Sequence, residues 1–455
     1  MICITLPLRR LTIGVLAATA AGASLAADTV DVVRHNAAIA HAAYGDSLVA
    51  AQTLDTAVAA LLAAPSEATL AAAREAWKAA REPYGQTEVY RFRNGPIDNL
   101  GDDGELAPSA GPEGRINAWP LDEALIDYVA QDVDGNAVNQ EQPASSLIHN
   151  LDFAISKKSL IESNELGGNE ANVASGYHAI EFLLWGQDLN AGESAWDGQA
   201  PRDATPGQRP FSDYLASEQC TSGTGNRDKP AICERRGQYL QTAVALLVDD
   251  LRRLVDAWDP QGEDNYYQLF TAPERVQTSL LEVLVGMGSL SYGELAGERM
   301  LVALAANSQE DEHSCFSDNT HRDILLNALG IQNTYLGHYV RPDGTLIDGP
   351  GLSDLVAVAD PALDQRLEAE LEDTLAKVAA IDAKANSGIP FDQQIAQFPG
   401  EDRDGRPILN ANLEHNLGVN EAIVALRAQT RSIEAAIKAL LGDVDFEIED
   451  SPAFL

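Results

Sequence analysis

Apolar residues recur at steps of three and four along residues 30–61, and this helical period is the feature that most constrains the fold. Val30, Val33 and Ala37 begin the stripe, which continues to Leu61. Such spacing places a single apolar face along one long helix. Similar stripes return through the rest of the chain, and no segment shows the sustained apolar–polar alternation of a strand. The sequence therefore predicts an all-α fold.

Proline and capping residues divide this pattern into separate helices. Pro65-Ser66-Glu67 ends the first helix and caps the second, which passes through Trp77 to a kink at Pro83. Further helices are predicted at Leu121–Ala130, Ser145–Glu162, Asn172–Trp185, Ile232–Trp258, Glu274–Ala306, Asn319–Tyr339, Asp364–Ile381 and Leu413–Leu441.

A segment rich in Gly, Pro, Asp and Ser, residues 190–229, separates two helical groups of comparable size. Long helices with short antiparallel connections form up-and-down bundles. We therefore predict two up-and-down four-helix-bundle domains packed side by side. Residues 28–200 would form the N-terminal bundle and residues 201–455 the C-terminal bundle.

Residues 1–27 are predicted to be a signal peptide. Arg9 and Arg10 precede the apolar run Leu11–Ala23, and Ser24-Leu25-Ala26 supplies a small-x-small cleavage site. The run is shorter than the roughly 20 apolar residues that span a bilayer. We therefore expect a protein secreted across the inner membrane, with no transmembrane helix in the mature chain.

The formal net charge of −38 excludes one class of partner. Nucleic-acid binding needs clustered lysines and arginines, so no nucleic-acid partner is expected. The same charge suits a protein that attracts cations or basic partners, although solubility alone also explains it.

Three cysteines remain after the predicted cleavage. Cys220 and Cys233 flank a polar loop, and outside the cytoplasm they are a candidate disulfide. Cys315 would then be unpaired, either as a small buried apolar residue or as part of a site.

The segment GYHAIEFLLW (176–185) carries the first candidate site. His178 and Glu181 lie three residues apart, so a helix would place them on one face, where they could hold one metal ion. Gly176 lies two residues before His178 and could admit a ligand or a neighbouring helix. The apolar flank indicates that Glu181 is at least partly buried, which requires a metal, a counter-charge or hydrogen-bond donors. A buried His–Glu pair in the core is the alternative.

The segment EDEHSCFSDNTHRD (310–323) is the second candidate. It combines carboxylates with His313, His321 and Cys315, a set that suits a transition metal better than calcium. A capping loop is the alternative, with Ser317 or Asp318 as the N-cap of the next helix.

A third set of charged residues lies elsewhere. Glu88 and Asp98 follow the second helix, and Glu298 and Arg299 lie inside a later one. Ion pairing that joins helices is the default interpretation, and ligand binding is the alternative. The chain contains no HExxH, no GxSxG, no phosphate-binding glycine loop and no Rossmann fingerprint.

Taken together, several motifs resemble those of the imelysin family. They are GPID (95–98), INAWPLDE (116–123), GYHAIEFLLWGQD (176–188), GQRPF (207–211), GELAGERM (293–300) and EDEHSCFSDNTH (310–321). The resemblance implies two four-helix bundles with a functional site at their interface. It also implies a GxHxxE signature, matched here by Gly176, His178 and Glu181, and an association with iron uptake in the bacterial envelope.

We therefore expect an extracytoplasmic protein, periplasmic or peripherally attached to the outer membrane. It would bind a divalent metal, iron or an iron-containing ligand through His178 and Glu181. Lower-ranked ligand-binding candidates are Gly176, Glu88, Asp98, Glu298, Arg299, His313, Asp318 and His321. An envelope iron-uptake component would be the partner. The alternatives are a zinc metallopeptidase that uses His178 and Glu181, and a structural or partner-docking envelope protein.

Overall fold

The structure is a computed structural model, which describes residues 27–129, 146–188, 204–220, 229–306, 308–396 and 417–451. The predicted signal peptide, apart from Ala27, lies outside the described residues, and so does much of the predicted loop 190–229.

Helices dominate the described residues, and the longer ones are labelled in chain order. They are α1 Thr29–Ala63, α2 Glu67–Gly85, α3 Gly176–Trp185, α4 Lys229–Ala257, α5 Val276–Ser289, α6 Thr320–Leu336, α7 Leu352–Ala359, α8 Pro361–Asn386 and α9 Leu417–Leu441. Shorter helices are Glu88–Tyr90, Pro96–Asn99, Glu113–Ile116, Glu123–Ile126, Lys157–Ser163, Leu166–Gly168, Phe211–Tyr214, Tyr266–Phe270, Cys315–Ser317 and Phe391–Ala396.

The predicted all-α class is confirmed. The described residues contain one antiparallel hairpin, formed by β1 (His338–Val340) and β2 (Leu346–Asp348). It follows α6 directly, because Gly337 ends that helix with a φ of +71°. The predicted helix Asn319–Tyr339 therefore stops three residues early.

Two predicted helices are much shorter in the structure. Within 121–129, the described part of this range, only Glu123–Ile126 is helical, because the backbone becomes extended at Asp127, whose carboxylate is held by Arg236 and Arg209.

Within 146–162, the described part of the other range, helix begins only at Lys157, where Ser156 and Ser159 form a capping box. The carbonyls of residues 147, 148, 150 and 153 accept hydrogen bonds from Arg235 instead of continuing a helix.

The helix break predicted at Pro65-Ser66-Glu67 is confirmed. Ser66 is the N-cap of α2 and forms a capping box with Thr69, in which the Thr69 amide donates to Ser66 Oγ over 3.2 Å. Such a cap contributes about 1 kcal/mol to helix stability. Pro83 lies in the last turn of α2, close to where the helix ends at Gly85.

The first helical group is formed by α1, α2, α3 and α4, which pack on one another. Trp77 of α2 lies at its centre, fully buried, and its indole N–H donates to the Tyr177 carbonyl over 2.9 Å. Dividing the chain at residue 200, as predicted, would separate α4 from the helices on which it packs. The division into two four-helix bundles stays a prediction.

α1 also meets a length-and-composition criterion for a membrane span, which the sequence analysis did not anticipate. Its most apolar window has a mean hydropathy of 1.2, and among the described residues no other helix passes this test. The helix packs against α2 and α4, and residues such as Leu54 and Val58 are fully buried there. One face of α1 is therefore part of the core.

The second helical group is formed by α5, α6, α8 and α9. α5 continues without a break through Leu290–Leu301, whose hydrogen bonding is π-helical, into the α-helical turn Val302–Ala306. A second apolar core lies here, with Met300, Ile381 and Leu426 completely buried.

The predicted disulfide between Cys220 and Cys233 is confirmed, with the two Cα atoms 6.1 Å apart. It ties the segment after Phe211–Tyr214 to the first turns of α4. Cys315 is unpaired and buried, and burial raises the pKa of its thiol.

A buried ion pair joins the two helical groups. Arg81 of α2 donates to Asp323 Oδ1 of α6 over 2.8 Å, and both side chains are completely buried. Arg81 also donates to Asn117 Oδ1, and its guanidinium lies 4.9 Å from the ring centre of Tyr177. Ser314 donates to the other oxygen of Asp323. Because each charge has lost its water, the pair is stable only while this partner set is complete.

We expect Asp323→Asn to lower the free energy of unfolding by about 3–5 kcal/mol, because the substitution leaves Arg81 buried without a counter-charge. Urea denaturation measures the change. Asp373→Asn is the matched control, since Asp373 forms a partly exposed pair with Lys377, and such pairs contribute about 0–1 kcal/mol. Equal, small effects in the two variants would contradict the assignment.

Candidate ligand-binding site

The site is organised around the start of α3, where the chain needs glycine. Gly176 has a φ of +84°, and a Cβ there would lie 2.5 Å from the Ile116 carbonyl oxygen. Any other residue would push away the segment that carries Asn117 and Trp119. Gly176 therefore contributes close backbone packing rather than space for a ligand.

His178 and Glu181 lie on one face of α3, as their spacing predicts. His178 Nδ1 and Glu181 Oε2 are 2.9 Å apart. Glu181 Oε1 accepts from the Ser317 hydroxyl over 2.6 Å and from the Ser317 amide over 3.0 Å. The first candidate segment therefore contacts the second, residues 310–323, and both oxygens of Glu181 take part in hydrogen bonds.

A second imidazole lies beside the first. The ring centres of His178 and His313 are 4.5 Å apart, and the Trp119 ring centre lies 5.0 Å from that of His178. His313 Nε2 accepts from the Asn117 amide group over 3.2 Å, because the Asn117 oxygen already accepts from Arg81. His178 Nε2 is buried and has no hydrogen-bond partner.

Both imidazoles are neutral at physiological pH. Burial lowers the pKa of His178 and of His313 well below 6.5, and the nearby charges of Arg81 and Arg299 lower both further. Burial also raises the pKa of Glu181 above its ordinary range, against the opposing hydrogen bonds from Ser317.

Glu88 connects the imidazoles to a chain of ion pairs. It is buried, accepts from Asn117 Nδ2 over 3.1 Å, and accepts from Arg299 over 2.7 Å. Arg299 also donates to Glu294 Oε1 over 2.8 Å. Glu294 and Arg299 lie five residues apart, a spacing that the π-helical segment places on one face. Ion pairing, the default interpretation of Glu88 and Arg299, describes these contacts.

A cleft of about 290 Å³ opens next to these residues, between the two helical groups. Its lining includes His313, Asn117 and Trp119. Six carboxylates and two guanidinium groups complete its charged lining, and they belong to Glu113, Glu165, Glu170, Glu294, Glu298, Asp311, Arg91 and Arg299. Carboxylates therefore outnumber guanidiniums by four.

One of these carboxylates titrates near neutrality. Burial raises the pKa of Glu113 to about 7, the Arg91 charge opposing this shift and neighbouring carboxylates such as Glu88 and Glu294 adding to it. The charge of the cleft therefore changes within the physiological pH range.

Of the ten predicted residues, Glu298, Arg299 and His313 line the cleft, and the other seven do not. Asp98 accepts from the Phe92 amide over 2.9 Å, and burial raises its pKa to about 6. His321 faces Asp382, with Nε2 and Oδ1 3.7 Å apart. Asp318 has a left-handed backbone (φ +56°) at the end of the turn Cys315–Ser317.

The capping alternative for Ser317 and Asp318 is wrong. Asn319 is the N-cap residue of α6, and its side chain makes no capping hydrogen bond. The Ser317 hydroxyl is instead directed to Glu181.

Sequence reasoning missed the roles of Arg81 and Glu113. Arg81 follows Trp77 by four residues and therefore lies on the buried face of α2, where an arginine needs a partner. An arginine on the buried face of a predicted helix is the sequence signal that could have identified Arg81. Glu113 lies in a glycine- and proline-rich stretch, and no local pattern distinguishes it.

The described residues do not form a cage of three or more His, Cys, Asp or Glu side chains around a metal. Both Glu181 oxygens already form hydrogen bonds, with His178 and Ser317, and His313 Nε2 accepts a hydrogen bond from Asn117. His178 Nε2, which is not part of the cleft lining, is left without a hydrogen-bond partner, and Glu181 orients the ring through Nδ1.

Comparison with known proteins agrees with this architecture. The family model for imelysin (peptidase M75) matches residues 40–433. Iron-regulated protein A of Synechococcus elongatus is 30% identical over 313 residues, which are 67% of this chain and 62% of that protein, or less than two thirds of its length.

Two crystal structures share the fold. A protein described as an iron-regulated protein A precursor from Parabacteroides distasonis superposes with a TM-score of 0.60 at 15% identity, over 92% of this chain and 97% of that one. An imelysin-like protein from Psychrobacter arcticum gives a TM-score of 0.52 at 14% identity, over 90% and 96%. Because the family model covers most of its length, the chain belongs to the imelysin family.

Proposed function

We propose that the chain binds a metal cation, or a cationic metal complex, in the acidic cleft between its two helical groups. The observation that carries the proposal is the unpartnered Nε2 of His178, buried beside a cleft in which carboxylates outnumber guanidiniums. A buried ring nitrogen without a partner is costly in a structural His–Glu pair. The same nitrogen is suited to donate a lone pair to a metal.

Each residue has a distinct role in this proposal. Glu181 holds the Nδ1 proton of His178, so that Nε2 presents its lone pair, and Ser317 fixes the carboxylate. Direct ligation by Glu181, expected from the sequence, would require it to exchange one of these hydrogen bonds. The carboxylates of the cleft raise the local concentration of cations.

Iron is the cation that the relatives suggest. The curated relative and one structural relative are named as iron-regulated proteins. We propose that this chain serves iron handling outside the cytoplasm, in the periplasm or at the outer membrane, together with an envelope iron-uptake component. The predicted signal peptide and the disulfide support that location.

We expect Co²⁺ to bind the wild-type protein, and His178→Ala to weaken binding by at least about tenfold, since even groups that orient a ligand contribute 10- to 100-fold. Tryptophan fluorescence and Co²⁺ absorbance report binding. His338→Ala is the matched control, because His338 is exposed and pairs with Asp348 on the hairpin.

A second cation distinguishes electrostatic attraction by the carboxylates of the cleft from ligation by the His178 imidazole. Hexaamminecobalt(III) keeps its ammonia ligands, so it should bind through the carboxylates alone, and equally well to His178→Ala. Equal Co²⁺ affinity in wild type and His178→Ala would contradict the role given to the imidazole. No binding of either cation would favour a structural or docking protein.

We expect Co²⁺ affinity to fall as the pH is lowered from 8 to 6, and Glu113→Gln to remove most of this fall. Glu113, with a pKa of about 7, gains a proton over this range and loses its negative charge. The pKa values of His178 and His313 are lowered, so both rings stay neutral. Calorimetric titrations at pH 6, 7 and 8 test this, and an unchanged fall in Glu113→Gln would show that a group other than Glu113 titrates.

We expect purified protein not to cleave insulin or casein at an enzymatic rate. A catalytic zinc usually has three protein ligands and a separate base. The described residues offer no such set. The assay compares wild type with Glu181→Gln, each loaded with zinc and freed of contaminating proteases. Activity in wild type that disappears in Glu181→Gln at equal zinc content would establish the metallopeptidase alternative.

A further inference from the structure

The chain segment after α9 lies along α5 and its π-helical continuation. We call residues 443–451 the C-terminal strap. Its apolar side chains alternate with acidic ones, and Val444, Phe446 and Ile448 pack against the core while the acidic residues between them are exposed. The strap is therefore held by an apolar face, and its outer face is acidic.

Hydrogen bonds and close packing fix the strap to the helix below it. The Glu449 amide donates to Ser289 Oγ over 3.0 Å, and the Ser451 hydroxyl donates to Glu298 Oε1 over 2.5 Å. A Cβ on Gly293 would lie 2.6 Å from the Glu449 carbonyl oxygen. The helix can thus carry no side chain at Gly293 while the strap is in place.

The helix beneath the strap has an unusual conformation. Leu290–Leu301 is π-helical over twelve residues, and the Val302 amide still donates to the Gly297 carbonyl, five residues back. π-helices are rare and usually limited to single turns, often at functional sites. So long a segment requires stabilisation from its surroundings.

The π-helical form determines the lining of the cleft. It places Glu294 and Arg299, five residues apart, within hydrogen-bonding distance. In an α-helix, residues five apart point in directions roughly 140° apart. If this segment became α-helical, Glu294 and Arg299 could not both face the cleft, so at least one of these two charges would leave its lining.

We propose that the C-terminal strap holds residues 290–301 in the π-helical form and thereby controls cation binding in the cleft. This inference rests on the proposed function for its second part. Displacement of the strap releases Glu298 and lets the helix relax, which removes charged groups from the cleft. The strap is a positioning element, and a partner that binds its acidic outer face would act as a regulator.

Two variants displace the strap by different means. Truncation after Gly442 removes it. Gly293→Ala leaves the chain complete but places a methyl group against the Glu449 carbonyl. Gly45→Ala in α1 is the matched control, because a Cβ there has nothing within 4 Å.

Hydrogen exchange of residues 290–301 and Co²⁺ affinity are then measured. We expect faster exchange and about tenfold weaker Co²⁺ binding in the truncated protein and in Gly293→Ala, a typical size for coupling between sites. Gly45→Ala should leave both quantities unchanged.

Hydrogen exchange and Co²⁺ affinity test different parts of the inference. Unchanged exchange in both strap variants would overturn the inference, whatever the protein binds. Faster exchange with unchanged Co²⁺ affinity would overturn the inference that the strap controls cation binding in the cleft. If the wild-type protein binds no Co²⁺, the proposed function fails, while hydrogen exchange still decides whether the strap holds the helix.

Discussion

The structure depends on the buried pair between Arg81 and Asp323. Two unit charges without water are stable only if every donor and acceptor has a partner, so the pair fixes the segments that supply those partners. Asn117 comes from the first half of the chain and Ser314 from the second. One arginine on α2 therefore sets the relative positions of α2, α6 and the two loops that line the cleft.

The chemistry of the cleft follows from the same network. Asn117 accepts from Arg81 through its oxygen, so its amide group must donate, and it does so to Glu88 and His313. His313 Nε2 therefore accepts a hydrogen bond from Asn117, whereas His178 Nε2 has no hydrogen-bond partner. The charges of Arg81 and Arg299 also lower the pKa values of both imidazoles. The network thus determines which nitrogen can meet a ligand and keeps it unprotonated.

The sequence alone predicted the helices better than the site. Apolar spacing identified α1, and the cap at Ser66 identified the start of α2, because both signals are local. Ser317 was interpreted as a cap because its partner, Glu181, is 136 residues away in the chain. The Glu294–Arg299 pair could not be predicted from the sequence either, because residues five apart do not lie on the same face of an α-helix. Long-range polar contacts and π-helical geometry are set by packing, and periodicity does not report them.

The contacts of Glu181 indicate where this protein can move. Its carboxylate is buried and accepts from Ser317 of the opposite segment, so opening this contact would leave a buried oxygen without a donor, at a cost of about 1–3 kcal/mol or more for a charged group. The contact between α3 and residues 314–317 therefore holds His178 rigidly beside the cleft. One wall of the cleft itself is the π-helical segment, which is held by the strap through two hydrogen bonds and three partly buried side chains. Motion that admits a ligand should consequently arise on that wall, while His178 stays fixed in orientation.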